Sequence, residues 1–161
     1  MRKPIIGVMG PGDRATSEEL RVAYQLGQAI ARAGWVLLTG GRNQGVMDAA
    51  SRGAKSAGGL TVGILPGHDR QGISAAIDIP ILTDMGSARN NINVLSSDVV
   101  IACGMGAGTA SEVALALKAN KSVILLHSSG ESQAFFQTLA GKQVLVAAEV
   151  EAAIALVNQL L

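Results

Sequence analysis

Asp98-Val99-Val100-Ile101-Ala102-Cys103-Gly104-Met105-Gly106-Ala107-Gly108-Thr109-Ala110-Ser111-Glu112 reads as a buried strand that runs through a glycine turn into an alanine-rich helix. A glycine turn in that position brings bare backbone N–H groups to a helix N-terminus, where the dipole favours an anion. The stretch is therefore a phosphate-site candidate. Glu112 falls in the expected first turn of the helix and raises the question of chemistry there. A structural reading stands beside it, because Thr109-x-x-Glu112 is also the pattern of a capping box.

The same alternation repeats on both sides. Short aliphatic runs predict strands near 5–9, 35–39, 60–65, 79–83, 98–102, 122–126 and 143–146. Amphipathic runs predict helices near 17–33, 45–57, 87–95, 109–119, 131–139 and 148–160. The strands are continuously apolar, as a sheet covered on both faces requires. Thr16-Ser17-Glu18-Glu19 offers a capping box, and Gly34 and Gly58 are helix stops. The expectation is α/β: a single doubly wound, Rossmann-like domain over residues 1–161, with a parallel sheet of seven strands. The irregular stretch from Pro66 to Pro80 is expected to be a surface loop or flap.

Composition narrows the function classes. Hydrophobic residues make up 48% of the chain and aromatics 2%, so small aliphatics must build the core. A formal charge of +1 lacks the electrostatic footprint of a nucleic-acid binder. One cysteine excludes an internal disulfide and suits a reducing compartment. With neither a signal-peptide pattern nor a membrane-length apolar run, a cytoplasmic protein is expected.

Ligands of an open α/β sheet bind outside the carboxyl ends of its strands. Four segments belong there: Gly10-Pro11-Gly12-Asp13-Arg14, Thr39-Gly40-Gly41-Arg42-Asn43-Gln44-Gly45-Val46-Met47, Asp84-Met85-Gly86-Ser87-Ala88-Arg89-Asn90, and the opening stretch. Glycine turns and arginines on one edge describe a site for a small anionic, phosphorylated ligand. Gly10-x-Gly12-x-x-Ala15 matches a dinucleotide fingerprint, but the second strand ends in Thr39-Gly40-Gly41 where an acidic ribose ligand is needed. Gly40 and Gly45 have Walker A spacing, but Val46-Met47 replaces the lysine and hydroxyl residue. His68 and His127 are too few for a zinc site. Arg42 is read as facing the site and Arg52 as facing solvent. Cys103 is read as a small buried hydrophobe.

Three motifs now stand in order. Gly40-Gly41-x-x-x-Gly45-Val46-Met47-x-x-Ala50, Asp84-Met85-x-x-x-Arg89 and Gly106-Ala107-Gly108-Thr109-Ala110-Ser111-Glu112 resemble those of the LONELY GUY-like, once lysine-decarboxylase-like, superfamily. Its enzymatic branch hydrolyses the N-glycosidic bond of nucleoside 5′-monophosphates. That resemblance implies Arg89 and Glu112 as a catalytic pair and Gly106, Gly108 and Thr109 as phosphate holders. Gly104-Met105, Asn90 and Gly86-Ser87 depart from the enzyme pattern. Together with Gly45-Val46-Met47-x-Ala49-Ala50, the run Gly58 to Pro66 and Ala88-Arg89-Asn90-x-x-Asn93, they are similar to the branch of molybdenum cofactor carrier proteins. This second resemblance implies a non-catalytic carrier that binds, protects and delivers the cofactor, a pterin phosphate with dithiolene-held molybdenum. The cofactor would lie on Gly10, Gly12, Gly40, Gly41, Arg42, Gly45, Val46, Met47, Arg89, Asn90, Gly106, Ala107, Gly108, Thr109 and Glu112. It further implies a homodimer or homotetramer, exchanging cargo with molybdenum-dependent enzymes or cofactor-synthesis proteins; from charge and apolar-run length, no nucleic-acid or membrane partner is expected. The phosphoribohydrolase using Arg89 and Glu112 is the alternative.

Overall fold

The computed structural model describes residues 2–161. Seven strands form one all-parallel sheet: β1 (Ile5–Met9), β2 (Val36–Thr39), β3 (Thr61–Leu65), β4 (Ile79–Leu82), β5 (Val99–Cys103), β6 (Val123–Leu126) and β7 (Val144–Ala147). They lie in the order β4-β3-β2-β1-β5-β6-β7. Six helices connect or follow them: α1 (Ser17–Arg32), α2 (Gly45–Ser56), α3 (Arg89–Ser96), α4 (Ala107–Lys118), α5 (Gly130–Ala140) and α6 (Val150–Leu160). The expected α/β architecture is thus found, with every expected strand and helix in place.

Side chains along a strand alternate between faces, and the core divides accordingly. Ile6, Val8, Leu37, Ile101, Ile124 and Leu126 face α1, α2 and α6. Met9, Leu38, Val100, Ala102, Val123 and Leu125 face α3, α4 and α5. α1 starts on the expected capping box: the Thr16 N–H donates to Glu19 Oε2 at 2.8 Å, and the Glu19 N–H donates to Thr16 Oγ1 at 3.2 Å.

β4 is an edge strand. Ile79 and Ile81 continue the α3-side face past the last helix and stay 45% and 43% exposed, flanking Pro80. The stretch from Pro66 is not a free flap. Gly72 and Ser74 are hydrogen-bonded to Asn43 and Gly41 at 2.8 and 2.9 Å, and Ser74 Oγ donates to Asp48 Oδ1 at 2.7 Å. Its longest exposed run is the tip, His68 to Gln71.

α1 and α2 touch backbone to backbone. A Cβ on Gly27 would stand 2.0 Å from the Ala50 carbonyl oxygen, and one on Gly53 would stand 2.0 Å from that of Tyr24. Alanine's better helix propensity offsets about 1 kcal/mol, but separating two packed backbones costs about 1–3 kcal/mol. Gly53→Ala is therefore expected to lower Tm by several degrees, measured by thermal unfolding.

Candidate functional site

From β1 the chain moves outward one way through β2, β3 and β4, then returns to β5 and moves the other way. The carboxyl ends of β1 and β5 flank that switch point, where an open parallel sheet leaves a crevice. A cavity of about 590 Å³ occupies it, walled by residues 10–14 on one side and 105–109 on the other.

The chain turns sharply out of β5 at Gly104, whose φ is +74°. Gly106 is extended and caps α4, with no side chain capping the helix. The N–H groups of Ala107, Gly108 and Thr109 therefore have no partners within the helix; the ladder begins with the Ala110 N–H on the Gly106 carbonyl at 2.8 Å. Two expectations are corrected here. α4 starts two residues before Thr109, so Thr109 is its third residue and not its cap, and the Thr109–Glu112 capping box does not form. Glu112 consequently lies in the second turn, buried at 7% exposure.

The glycines of the site divide by what a side chain would meet. At Gly10 a Cβ would strike Val46 and the Cys103 carbonyl, and at Gly45 the carbonyls of Pro11 and Gly12 at 2.2 and 2.1 Å. These positions let the β1 turn dock on the start of α2, where the Val46 N–H donates to the Pro11 carbonyl at 2.9 Å. Gly41 packs on Gly63, and Val46 is fully buried in the core. Gly10, Gly41, Gly45 and Val46 thus shape the site from behind. At Gly12, Gly106 and Gly108 a Cβ would meet nothing closer than 3.7 Å, and at Gly108 nothing within 4 Å. The fold does not require glycine there, and the space in front of Gly108 is open.

α3 supplies the charge. Gly86, at φ +54°, opens a short 3₁₀ turn, so α3 begins at Arg89, later than the expected 87. The Arg89 guanidinium lies over Gly40, where a Cβ would stand 2.9 Å from Nη2. Its Nη1 donates to Asn90 Oδ1 at 2.7 Å, Asn90 Nδ2 donates to Ser111 Oγ at 3.0 Å, and Ser111 Oγ donates to the Gly108 carbonyl at 2.7 Å. The arginine is thereby tied to the α4 turn. Asn93 Nδ2 donates to Glu112 Oε1 at 2.9 Å. Asn93 and Ser111 carried no expected role in the site, although Asn93, four residues after Arg89, must share its helix face. Met47 packs against Gly40. Arg42 is exposed at the rim, close enough to Arg89 that its charge, after burial, helps to lower the Arg89 pKa.

Among the described residues, three buried side-chain polar atoms have no hydrogen-bond partner: Arg89 Nε, Asn93 Oδ1 and Thr109 Oγ1. Burial pushes the Glu112 carboxyl up to about 7, against the Asn93 hydrogen bond and the Arg89 charge, which both lower it. Burial likewise raises the Cys103 thiol to about 12, so it is neither nucleophile nor metal donor.

In the folded chain Glu112 favours its neutral form, so ionising it costs stability as pH rises from the ordinary 4.5 through about 7. Glu112→Gln is expected to stabilise the ligand-free protein by on the order of 2–3 kcal/mol at about pH 8. Below about pH 4.5 the acid is protonated in both states and the gain vanishes. Denaturant unfolding at several pH values measures this.

The sequence model of the SLOG cluster4 family matches residues 3–154. The molybdenum cofactor binding protein from the phototrophic bacterium Rippkaea orientalis is 62% identical in its solved structure, with a TM-score of 0.97 over 99% of this chain and 98% of that one. The molybdenum cofactor carrier protein of Chlamydomonas reinhardtii is 58% identical, with a TM-score of 0.95 over the same shares. A cytokinin riboside 5′-monophosphate phosphoribohydrolase of Mycobacterium tuberculosis is 35% identical over 99 residues, 60% of this chain and 53% of that protein. The chain belongs to the SLOG cluster4 family.

Proposed function

We propose that this protein binds the molybdenum cofactor at the β1–β5 crevice and carries it without acting on it. The observation that carries the reading is the match along nearly the whole chain, at 62% and 58% identity, to two proteins described as binding or carrying that cofactor. The geometry supports it. The N–H groups of Ala107, Gly108 and Thr109 and the free Thr109 hydroxyl receive the terminal phosphate, with Gly12 and Gly106 leaving room for it. Gly40 and Met47 lie beneath the pterin, and Arg89, Asn90 and Arg42 answer the remaining negative charge. The molybdenum arrives on the cofactor's own sulfurs. Among the described residues no cluster of His, Cys, Asp and Glu is arranged to hold a metal.

Further parts of the proposal are exchange with molybdenum-dependent enzymes or cofactor-synthesis proteins in the cytoplasm. No helix among the described residues is long and apolar enough to cross a membrane. The phosphoribohydrolase reading is favoured by the mycobacterial relative and by the nearness of Glu112 to Arg89. A carboxyl hydrogen-bonded to Asn93 and close to half protonated at neutral pH is a poor anion for stabilising an oxocarbenium-like centre. Incubation with AMP is expected to release no adenine beyond the uncatalysed background; release that Glu112→Gln abolishes would make the protein an enzyme.

Expression in a cofactor-producing host, followed by elemental analysis for molybdenum and pterin fluorescence, tests the carrier reading. Near-stoichiometric amounts of both are expected, and absence of both rejects it. Gly108→Ala is expected to lower the bound cofactor at least tenfold while Tm holds or rises, because its methyl group enters ligand space and not the fold.

Assembly into dimers or tetramers is also proposed. A largely apolar groove of about 900 Å³ runs between α3 and α4, with Met85 and Leu95 50% and 53% exposed beside Leu115. Light scattering is expected to give an oligomer for the natural chain and a monomer for Leu95→Glu.

A further inference from the structure

Arg89 and Glu112 are both buried, at 8% and 7% exposure, on two helices packed side by side. Each feels the other's charge. Two opposite charges in such a place ordinarily close into a bidentate pair, since desolvated ions are costly apart. Here they form no ion pair. Each is instead engaged by an asparagine of α3: Arg89 Nη1 by Asn90 and Glu112 Oε1 by Asn93.

The surroundings make Asn93 the decisive one. It is fully buried, and its amide oxygen has no partner, so the single hydrogen bond to Glu112 is its only side-chain polar contact. The other elements packed on α4 are β5 and β6, and they present Val100, Ala102, Val123 and Leu125. Among the described residues, Arg89 is the positive group whose charge acts on the Glu112 carboxyl, and Asn93 is the side chain that is hydrogen-bonded to that carboxyl.

We propose that Asn93 is a positioning residue that keeps Glu112 off Arg89 and so leaves the guanidinium, with its unpartnered Nε–H, available to a negative group of the ligand. A Glu112–Arg89 pair would neutralise the one arginine or lysine that is buried among the described residues. Naming that negative group as part of the molybdenum cofactor rests on the carrier reading; the separation of the two charges does not.

Two measurements test the inference. In the ligand-free protein the Glu112 carboxyl carbon is followed by NMR against pH, in the natural chain and in Asn93→Leu, with Asn93→Ser as a smaller replacement should leucine disturb folding. Closure onto Arg89 is expected to move the Glu112 midpoint below the ordinary carboxylate value. Mere loss of the asparagine hydrogen bond would move it up, so an unchanged or raised midpoint overturns the proposal. The second measurement is affinity for cofactor released from a molybdenum enzyme, and for inorganic phosphate as a separate probe. Asn93→Leu is expected to lose at least tenfold, and Asn93→Leu with Glu112→Gln to regain most of it, because glutamine cannot neutralise Arg89. Loss without that rescue marks a merely structural residue and overturns the proposal. If the natural chain ignores the cofactor yet the NMR midpoint falls in Asn93→Leu, the carrier reading fails and the positioning role stands.

Discussion

The parallel pairing of β1 with β5 is the contact on which the rest of the molecule depends. It joins two halves of the sheet that run outward in opposite directions, and it places the glycine turns after those two strands face to face. With both faces of the central strands covered by helices, the carboxyl edge is where bare N–H groups and charged side chains can meet a ligand. The second half of the site is then brought in by close backbone approach. Gly45 lets α2 dock on the Pro11-Gly12 turn, and Gly40 lets Arg89 reach across from α3.

Polar atoms left unmatched at this edge are a cost to the folded chain. Each buried donor or acceptor without a partner weighs about 1–3 kcal/mol, and Arg89, Asn93 and Thr109 each carry one. Asn90 and Asn93 of α3 distribute the burden by satisfying one atom of Arg89 and one of Glu112, joining neither residue to the other. On the carrier reading, an arriving anion relieves that cost by answering the Arg89 guanidinium. Holding follows from such an arrangement more directly than hydrolysis does, because the carboxyl is engaged and only partly charged near neutral pH.

Much of this was legible in the chain itself. Continuous apolar runs such as Val99–Ala102 and Val123–Leu126 can only be strands covered on both sides. The glycine segments after β1, β2 and β5 and the arginine of α3 fall on the edge that the topology dictates. What could not be read was the local start of α4. Thr109-x-x-Glu112 fits a cap in one dimension, but an extended Gly106 starts the helix earlier and turns Glu112 inward. The division of the glycines was also hidden, since Gly10 and Gly108 look alike in sequence, and only the atoms in front of each tell packing from ligand space. Asn93 went unassigned because its importance lies in a partner nineteen residues away on another helix.

The outer edge of the sheet has a consequence of its own. β4 offers Ile79 and Ile81 to solvent beside an unpaired backbone, the combination that invites an eighth strand from another chain. Pro80 stands between them with no amide hydrogen to give, so a strand approaching that edge finds its ladder broken at the centre of a four-residue segment. At this edge the sheet is guarded by a covalent ring instead of a covering helix, and addition of a strand to β4 is disfavoured while the apolar face of the same strand stays open to side-chain contact.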